Sequence, residues 1–225
     1  MATSGTATFD LDLNSIIEEA FERCGKELRS GYDMRTARRS LNLLTIEWAN
    51  RGINLWTIEE GSVALTAGTG AYNLPADTID LLDHVIRTGT GTSQSDLSIT
   101  RISVSTYASI PNKNTQGRPI QLWIDRAAST PVANVWPVPD TSYTLSYWRM
   151  RRIQDAGNGV NTQDIPFRML PCLVAGLAYY LSLKIPEAMN RIEMLKASYE
   201  EQWNLASSED REKASLRLAP REFFY

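Results

Sequence analysis

A chain of 225 residues, 43% hydrophobic and 22% charged, can bury a sizeable core and lacks the composition of a disordered segment. Its formal net charge of -3, with acids and bases interspersed, offers no general attraction for nucleic acid or an anionic membrane, so duplex binding would need a local basic patch. The two cysteines, Cys24 and Cys172, sit in apolar helical patterns and predict buried free thiols in a reducing compartment, not a disulfide framework.

The first twelve residues are small and polar, with neither a basic nor an apolar stretch, and predict no signal peptide. A helix is expected over residues 13–26, capped by Asp12, with Ile16, Ile17, Ala20, Phe21 and Cys24 on one face. Gly25 weakens its end and Gly31 breaks the pattern. A second helix is expected over 34–50, capped by Asp33, with Ala37, Leu41, Leu44 and Trp48 along one side and Gly52 as its stop. The short link predicts that these two helices form an antiparallel pair.

The period then changes. Residues 55–60 and 62–66 read as two strands, Ala67-Gly68-Thr69-Gly70 as a turn, 71–74 as an extended piece ended by Pro75, and 81–87 as a further strand. Residues 88–95 read as an exposed loop, 97–102 as a short strand and 103–109 as a helical turn. Residues 120–125, 132–136 and 143–150 are expected to form a three-stranded meander, with Trp136-Pro137-Val138-Pro139-Asp140 at its second corner, because neither proline can donate to a ladder. Helical pattern returns after Asp164 and Pro166. Leu170, Leu173, Val174, Leu177 and Leu181 with interleaved alanines make a helix apolar nearly all round, the candidate central core element. The apolar window 169–183 falls short of the roughly 20 residues needed to span a bilayer. Pro186 and Glu187 open a last helix with the stripe Ala188, Ile192, Leu195, Tyr199, Trp203 and Ala206.

The fold class read from this order is α+β: a bundle of about four helices, an inserted antiparallel β-sheet or sandwich block, and an extended C-terminal tail. The expected divisions are 1–54 and 153–208 for the helices, 55–152 for the β block and 209–225 for the tail. Residues 211–225 carry basic and apolar residues and a terminal Phe223-Phe224-Tyr225, with no helical periodicity to account for them. Chain ends fray unless tied down, and three adjacent aromatics are a large apolar payload. The tail must therefore dock on its own domain or on another subunit, and the ample apolar sequence elsewhere points first to another subunit.

No enzyme constellation emerges, and no catalytic residue, cofactor or metal site is expected. His84, the single histidine, lies in an apolar strand pattern and reads as a structural or surface residue, not a catalytic one. Gly68-Thr69-Gly70 and Gly89-Thr90-Gly91 neither open a helix nor precede a Lys-Ser/Thr pair, so they read as turns. Glu59 and Glu60 would point to opposite faces of a strand, and Glu18 with Glu22 reads as a solvated helix face. Arg149, Arg151 and Arg152 cluster at a strand end, where guarding a sheet edge or bridging subunits is favoured over phosphate binding. Trp123, Trp136 and Trp148 are expected to fill a sandwich core.

Tyr72-Asn73-Leu74-Pro75 after a glycine-rich turn, Gly117-Arg118-Pro119 leading into a strand, Trp136-Pro137-Val138-Pro139-Asp140, and a late Gly176-Leu177-Ala178 helix before a basic tail occur in a distinctive order. This order resembles the head-to-tail adaptors of tailed bacteriophages, and most closely the tail accessory factor or tail tubular protein A type of short-tailed phages. The resemblance covers nearly the whole chain. It implies a structural protein of the virion head-tail junction, assembled in the host cytoplasm as a ring of twelve copies beneath the portal protein. The implied ring meets the tail nozzle or tube on its other face, seals the packaged genome, and passes double-stranded DNA through its lumen without sequence-specific binding or membrane contact. It also implies that the C-terminal tail reaches the portal. In the sequence, Leu216, Leu218, Phe223, Phe224 and Tyr225 supply anchors for such a contact, and Arg217 and Arg221 supply partners for carboxylates or carbonyls. The competing expectations are a virion-associated peptidoglycan hydrolase resting on acid residues, and a host-surface carbohydrate-binding module using the β-block tryptophans.

Overall fold

The computed structural model describes residues 5, 11–52, 55–126, 129–157 and 161–210. The chain divides into two compact units, residues 1–55 with 154–225 and residues 56–153. It is of the mixed α+β class.

In the first unit, α1 (Leu13–Cys24) starts where the Asp12 carboxylate accepts the Ser15 amide at 2.8 Å. It ends where Gly25 adopts φ 79°, with the Lys26 amide reaching back to the Phe21 carbonyl at 3.1 Å. That bond closes a left-handed cap which glycine accepts without a Cβ penalty. Helix α2 (Gly31–Arg51) begins three residues earlier than expected. Ser30, not Asp33, is its cap: the Ser30 hydroxyl accepts the Asp33 amide at 3.2 Å and donates to the Asp33 carboxylate at 2.9 Å. Gly31 does not interrupt the helix, because the first helical position has no intrahelical N–H partner to lose.

Helix α4 (Leu170–Ser182), whose position in chain order follows the short α3 (Val104–Ser109) of the other unit, is buried nearly all round from Cys172 to Ala178. Both α1 and α2 pack chiefly on it, and so does α5 (Ile192–Glu209). The expected α1–α2 pair is therefore not the organising contact. A helix with apolar side chains on every face offers three packing surfaces, and three helices take them. Buried Leu13, Ile17, Phe21, Leu41, Leu44, Trp48, Leu195 and Tyr199 close the core around α4.

The second unit is a sandwich. One sheet has the order β1 (Ile58–Leu65), β8 (Tyr143–Arg151), β3 (Thr78–Thr88), β4 (Ser95–Ser98). The other has the order β2 (Ala71–Asn73), β7 (Val132–Trp136), β6 (Gln121–Asp125), β5 (Thr100–Arg101). All pairs are antiparallel except β5 with β6. Leu81, Ile86 and Leu145 of the first sheet meet Leu122, Ile124 and Val135 of the second to form the core. Residues 120–150 are not a meander: β6 pairs with β7, but β8 crosses to the other sheet. The crossing runs through the proline corner, whose two prolines cannot continue the ladder. Nor does Gly61 separate two strands. It lies inside β1 opposite Tyr147, where an added Cβ would stand 2.6 Å from the tyrosine ring.

Three of the four sequence words, far apart along the chain, meet at one corner of this unit. The Tyr72 hydroxyl accepts the Thr66 amide at 2.9 Å and donates to the Thr69 carbonyl at 2.7 Å, closing the glycine-rich turn. Gly68 donates to the Pro139 carbonyl at 2.9 Å and Gly117 to the Val138 carbonyl at 2.8 Å. The carbonyls freed by the proline segment thus receive amides from both of the other motifs, the satisfaction that turning backbone needs.

Candidate functional site

The seven residues expected to dock on a partner, Leu216, Arg217, Leu218, Arg221, Phe223, Phe224 and Tyr225, lie outside the described residues. Their point of departure is described in detail. Helix α5 ends at Asp210, whose amide donates to the Ala206 carbonyl at 3.0 Å. The Asp210 carboxylate is 1% exposed and meets the Arg168 guanidinium at 2.7 Å. Its second oxygen accepts the Leu55 amide at 3.4 Å. Charge-assisted bonds to a buried carboxylate are stronger than neutral ones, so the chain leaves α5 from a pinned position.

Arg168 also stands in the wall of an open groove of about 820 Å³ lined by Leu11, Ser15, Glu19, Arg23, Phe167, Leu170, Pro171 and Val174. Ser15, Glu19 and Arg23 follow one side of α1 at four-residue spacing, with Leu11 just ahead of its first turn. The Leu13 amide donates to the Asn161 carbonyl at 3.2 Å and the Cys24 thiol to the Ala178 carbonyl at 3.2 Å, so α1 and α4 run in the same direction. Phe167 is 64% exposed at the groove and Leu11 is 39% exposed. Arg168 Nε is buried there without a hydrogen-bond partner.

Other apolar side chains face outward from the helices, among them Leu43, Ile46, Met189, Met194 and Leu205. Arg35, Arg38 and Arg39 with Tyr32 line a cavity of about 500 Å³ on α2. This is the local basic patch that the net charge conceals, and its spacing of three and four residues is readable in the sequence.

The residues weighed for catalysis are engaged structurally. Glu59 accepts from Arg149 at 2.9 Å and is paired with Arg151, while Glu60 is exposed. The Arg149 side chain, 11% exposed, also holds Asp77, and that hydrogen bond keeps the Asp77 carboxyl below its ordinary range. Arg152 donates to the Ala76 carbonyl at 2.9 Å. The three arginines thus tie β8 to β1 and to the residues preceding β3. His84 is 7% exposed and makes no well-formed hydrogen bond through either ring nitrogen. Burial raises the Cys24 thiol to about 11 and the Cys172 thiol to about 12, which keeps both protonated and unreactive. Among the described residues, no group of three His, Cys, Asp or Glu is placed to hold a metal ion.

Trp123, Trp136 and Trp148 do not fill the sandwich core; each is half-buried. On β6 and β7 they alternate with the inward Leu122, Ile124, Ala133 and Val135. Tyr107 stacks on Trp123 with ring centroids 4.8 Å apart, and Trp136 Nε1 donates to the Asn112 carbonyl at 3.1 Å. No helix among the described residues is long and apolar enough to cross a membrane.

No curated protein matches the chain. Residues 12–221 match the family described as SU10 adaptor protein, a span that takes in the helices, the sandwich and the first part of the tail. The chain therefore belongs to the SU10 adaptor protein family, a family of bacteriophage structural adaptors.

Proposed function

We propose that this phage adaptor is the head-to-tail connector of its virion: a ring, of twelve copies by resemblance, set between the portal protein and the tail nozzle or tube. The ring seals the packaged genome and gives duplex DNA its exit channel, with no turnover of its own. The observation that carries this reading is the family match from residue 12 to residue 221, which reaches past the last helix into the tail. In this reading the helices at 1–54 and 153–208 are one folding unit, 55–152 is an insertion, and 209–225 docks on the portal. Leu216, Leu218, Phe223, Phe224 and Tyr225 enter apolar pockets while Arg217 and Arg221 meet carboxylates or carbonyls. The outward Leu43, Ile46, Met194 and Leu205 supply apolar area for contacts between neighbouring copies. Repetition around a closed ring turns weak individual contacts into a seal.

The test is the mass in solution of the full chain, alone and after mixing with portal protein. We expect a monomer alone and a multi-copy complex with portal. A chain lacking residues 214–225 should keep its circular dichroism and cooperative melting and fail to join. Failure of the full chain to join, or joining by the shortened chain, overturns the proposal.

A further inference from the structure

The groove between α1 and α4 lies beside the point where the tail departs. Arg168 belongs to both: its guanidinium pins Asp210, the last described residue, and its side chain forms part of the groove wall. The described chain therefore ends beside one end of this groove. From Ser15 to Arg23 the α1 wall runs for eight residues, about 12 Å at the helical rise of 1.5 Å per residue, and Leu11 extends it ahead of the helix. Six extended residues beyond Asp210 cover about 20 Å, so residues 211–218 are long enough to follow the groove.

Their sequence suits it. In Arg211-Glu212-Lys213-Ala214-Ser215-Leu216-Arg217-Leu218, the residues Ala214, Leu216 and Leu218 alternate with Lys213, Ser215 and Arg217. Extended backbone sends alternate side chains to opposite sides, so the apolar set shares one face and the polar set the other. The groove presents Leu11, Phe167, Leu170, Pro171 and Val174 to such a face. At its mouth the buried Arg168 Nε lacks an acceptor, which a carbonyl of the passing segment can supply.

We infer that, before assembly, residues 211–218 of each chain occupy the α1/α4 groove of that same chain, with the apolar face of Ala214, Leu216 and Leu218 turned to its apolar lining. The tether favours the chain's own tail over a neighbour's, because a short linker raises its effective concentration to the millimolar range. The functional meaning, that portal must displace the segment before the tail is free to dock, rests on the reading given above. Occupancy of the groove does not depend on it.

The test uses the full chain without portal. Glu19→Cys with Leu216→Cys places a thiol in the groove wall and one in the tail; the native thiols are 0% and 1% exposed and do not compete. Glu19 is chosen because its pair with Arg23 is a surface one, 46% exposed on the glutamate side, and losing it costs the fold little. Mild oxidation should give an intramolecular disulfide about tenfold faster than the control pair Leu43→Cys with Leu216→Cys, as a seated rather than wandering tether requires. Adding Phe167→Glu, at a residue already 64% exposed, should abolish that difference. Equal rates for the two pairs overturn the inference, as does insensitivity to Phe167→Glu. A disulfide-linked dimer would assign the groove to a second copy's tail, and faster closure of Glu19→Cys with Phe9→Cys would assign it to the N-terminal arm; either result overturns it. Trap formation in the variant, together with failure of the unsubstituted full chain to join portal, would instead remove the connector role and leave the groove assignment standing.

Discussion

His84 illustrates how one side chain can set a measurable property. It is the only histidine in the chain, it is 7% exposed, and burial, reinforced by the Arg101 guanidinium and opposed by Asp83, holds its imidazole below the ordinary value. In the unfolded chain the ring takes up a proton as the pH falls through about 6.5, while the folded chain does so only at lower pH. Stability present above the unfolded value is therefore lost as the pH falls toward the folded one. In His84→Leu, the fall in unfolding free energy between about pH 7 and pH 5 should flatten. Leucine also removes two ring nitrogens that lack good partners, so the cost at neutral pH should stay below about 1 kcal/mol. Urea midpoints across that range check both statements, and an unchanged pH slope would show that another group carries it. The sequence placed His84 on an apolar strand, and that much was legible from its neighbours. That its ring nitrogens go without good partners was not, since this depends on what β4, β5 and β8 bring against β3.

At the scale of elements, Gly176 controls how closely α4 meets its neighbours. A Cβ added there would stand 2.9 Å from the Tyr199 ring and 3.0 Å from both terminal carbons of Leu44. Alanine gains about 1 kcal/mol in helix propensity over glycine, whereas overpacking a core costs about 1–3 kcal/mol. Gly176→Ala should therefore lower stability by up to about 2 kcal/mol, and Gly176→Val by more, as read from chemical denaturation. Stability equal to the parent in the valine variant would contradict this approach of the helices. The helices themselves were legible because their signals are local: the Asp12 cap, the stripe from Ile16 to Cys24, and the all-round apolar run after Leu170. The start of α2 was misread because Ser30 and Asp33 are both good caps and only geometry decides that one caps the other's amide. Strand routing was the larger loss. Each of β6, β7 and β8 has a strand pattern, but pairing is decided by contacts such as Leu145 opposite Val63 and Ile86, which join residues remote along the chain. The tryptophans were misassigned because their bulk favours burial on average, whereas the alternation along β6 and β7 had already given the inward positions to Leu122, Ile124, Ala133 and Val135.

For the whole molecule, charge and its distribution give different answers. The net charge of -3 predicts that the protein does not retard duplex DNA at physiological salt. The Tyr32, Arg35, Arg38 and Arg39 patch predicts weak retention at low salt. That residual retention should vanish in Arg35→Glu with Arg39→Glu, measured by gel shift across a salt series. Retention that survives at physiological salt would mean that a second basic surface forms on assembly or within the tail. The family could be read from the order of four motifs, three of which meet at one corner of the sandwich, where amides of one segment satisfy carbonyls of another, while the fourth lies on α4. The groove beside Asp210 could not be read, because Arg168 and Asp210 are 42 positions apart and neither belongs to a pattern.

Asp210 also has a mechanical meaning. A pull on the polypeptide beyond it would not begin by unwinding α5 from its last turn, because the carboxylate is moored to Arg168 beside the start of α4 and to the Leu55 backbone. Force entering there is shared at once with the innermost helix, so the strand can act as a hawser whose cleat is bolted to the keel and not to the rail.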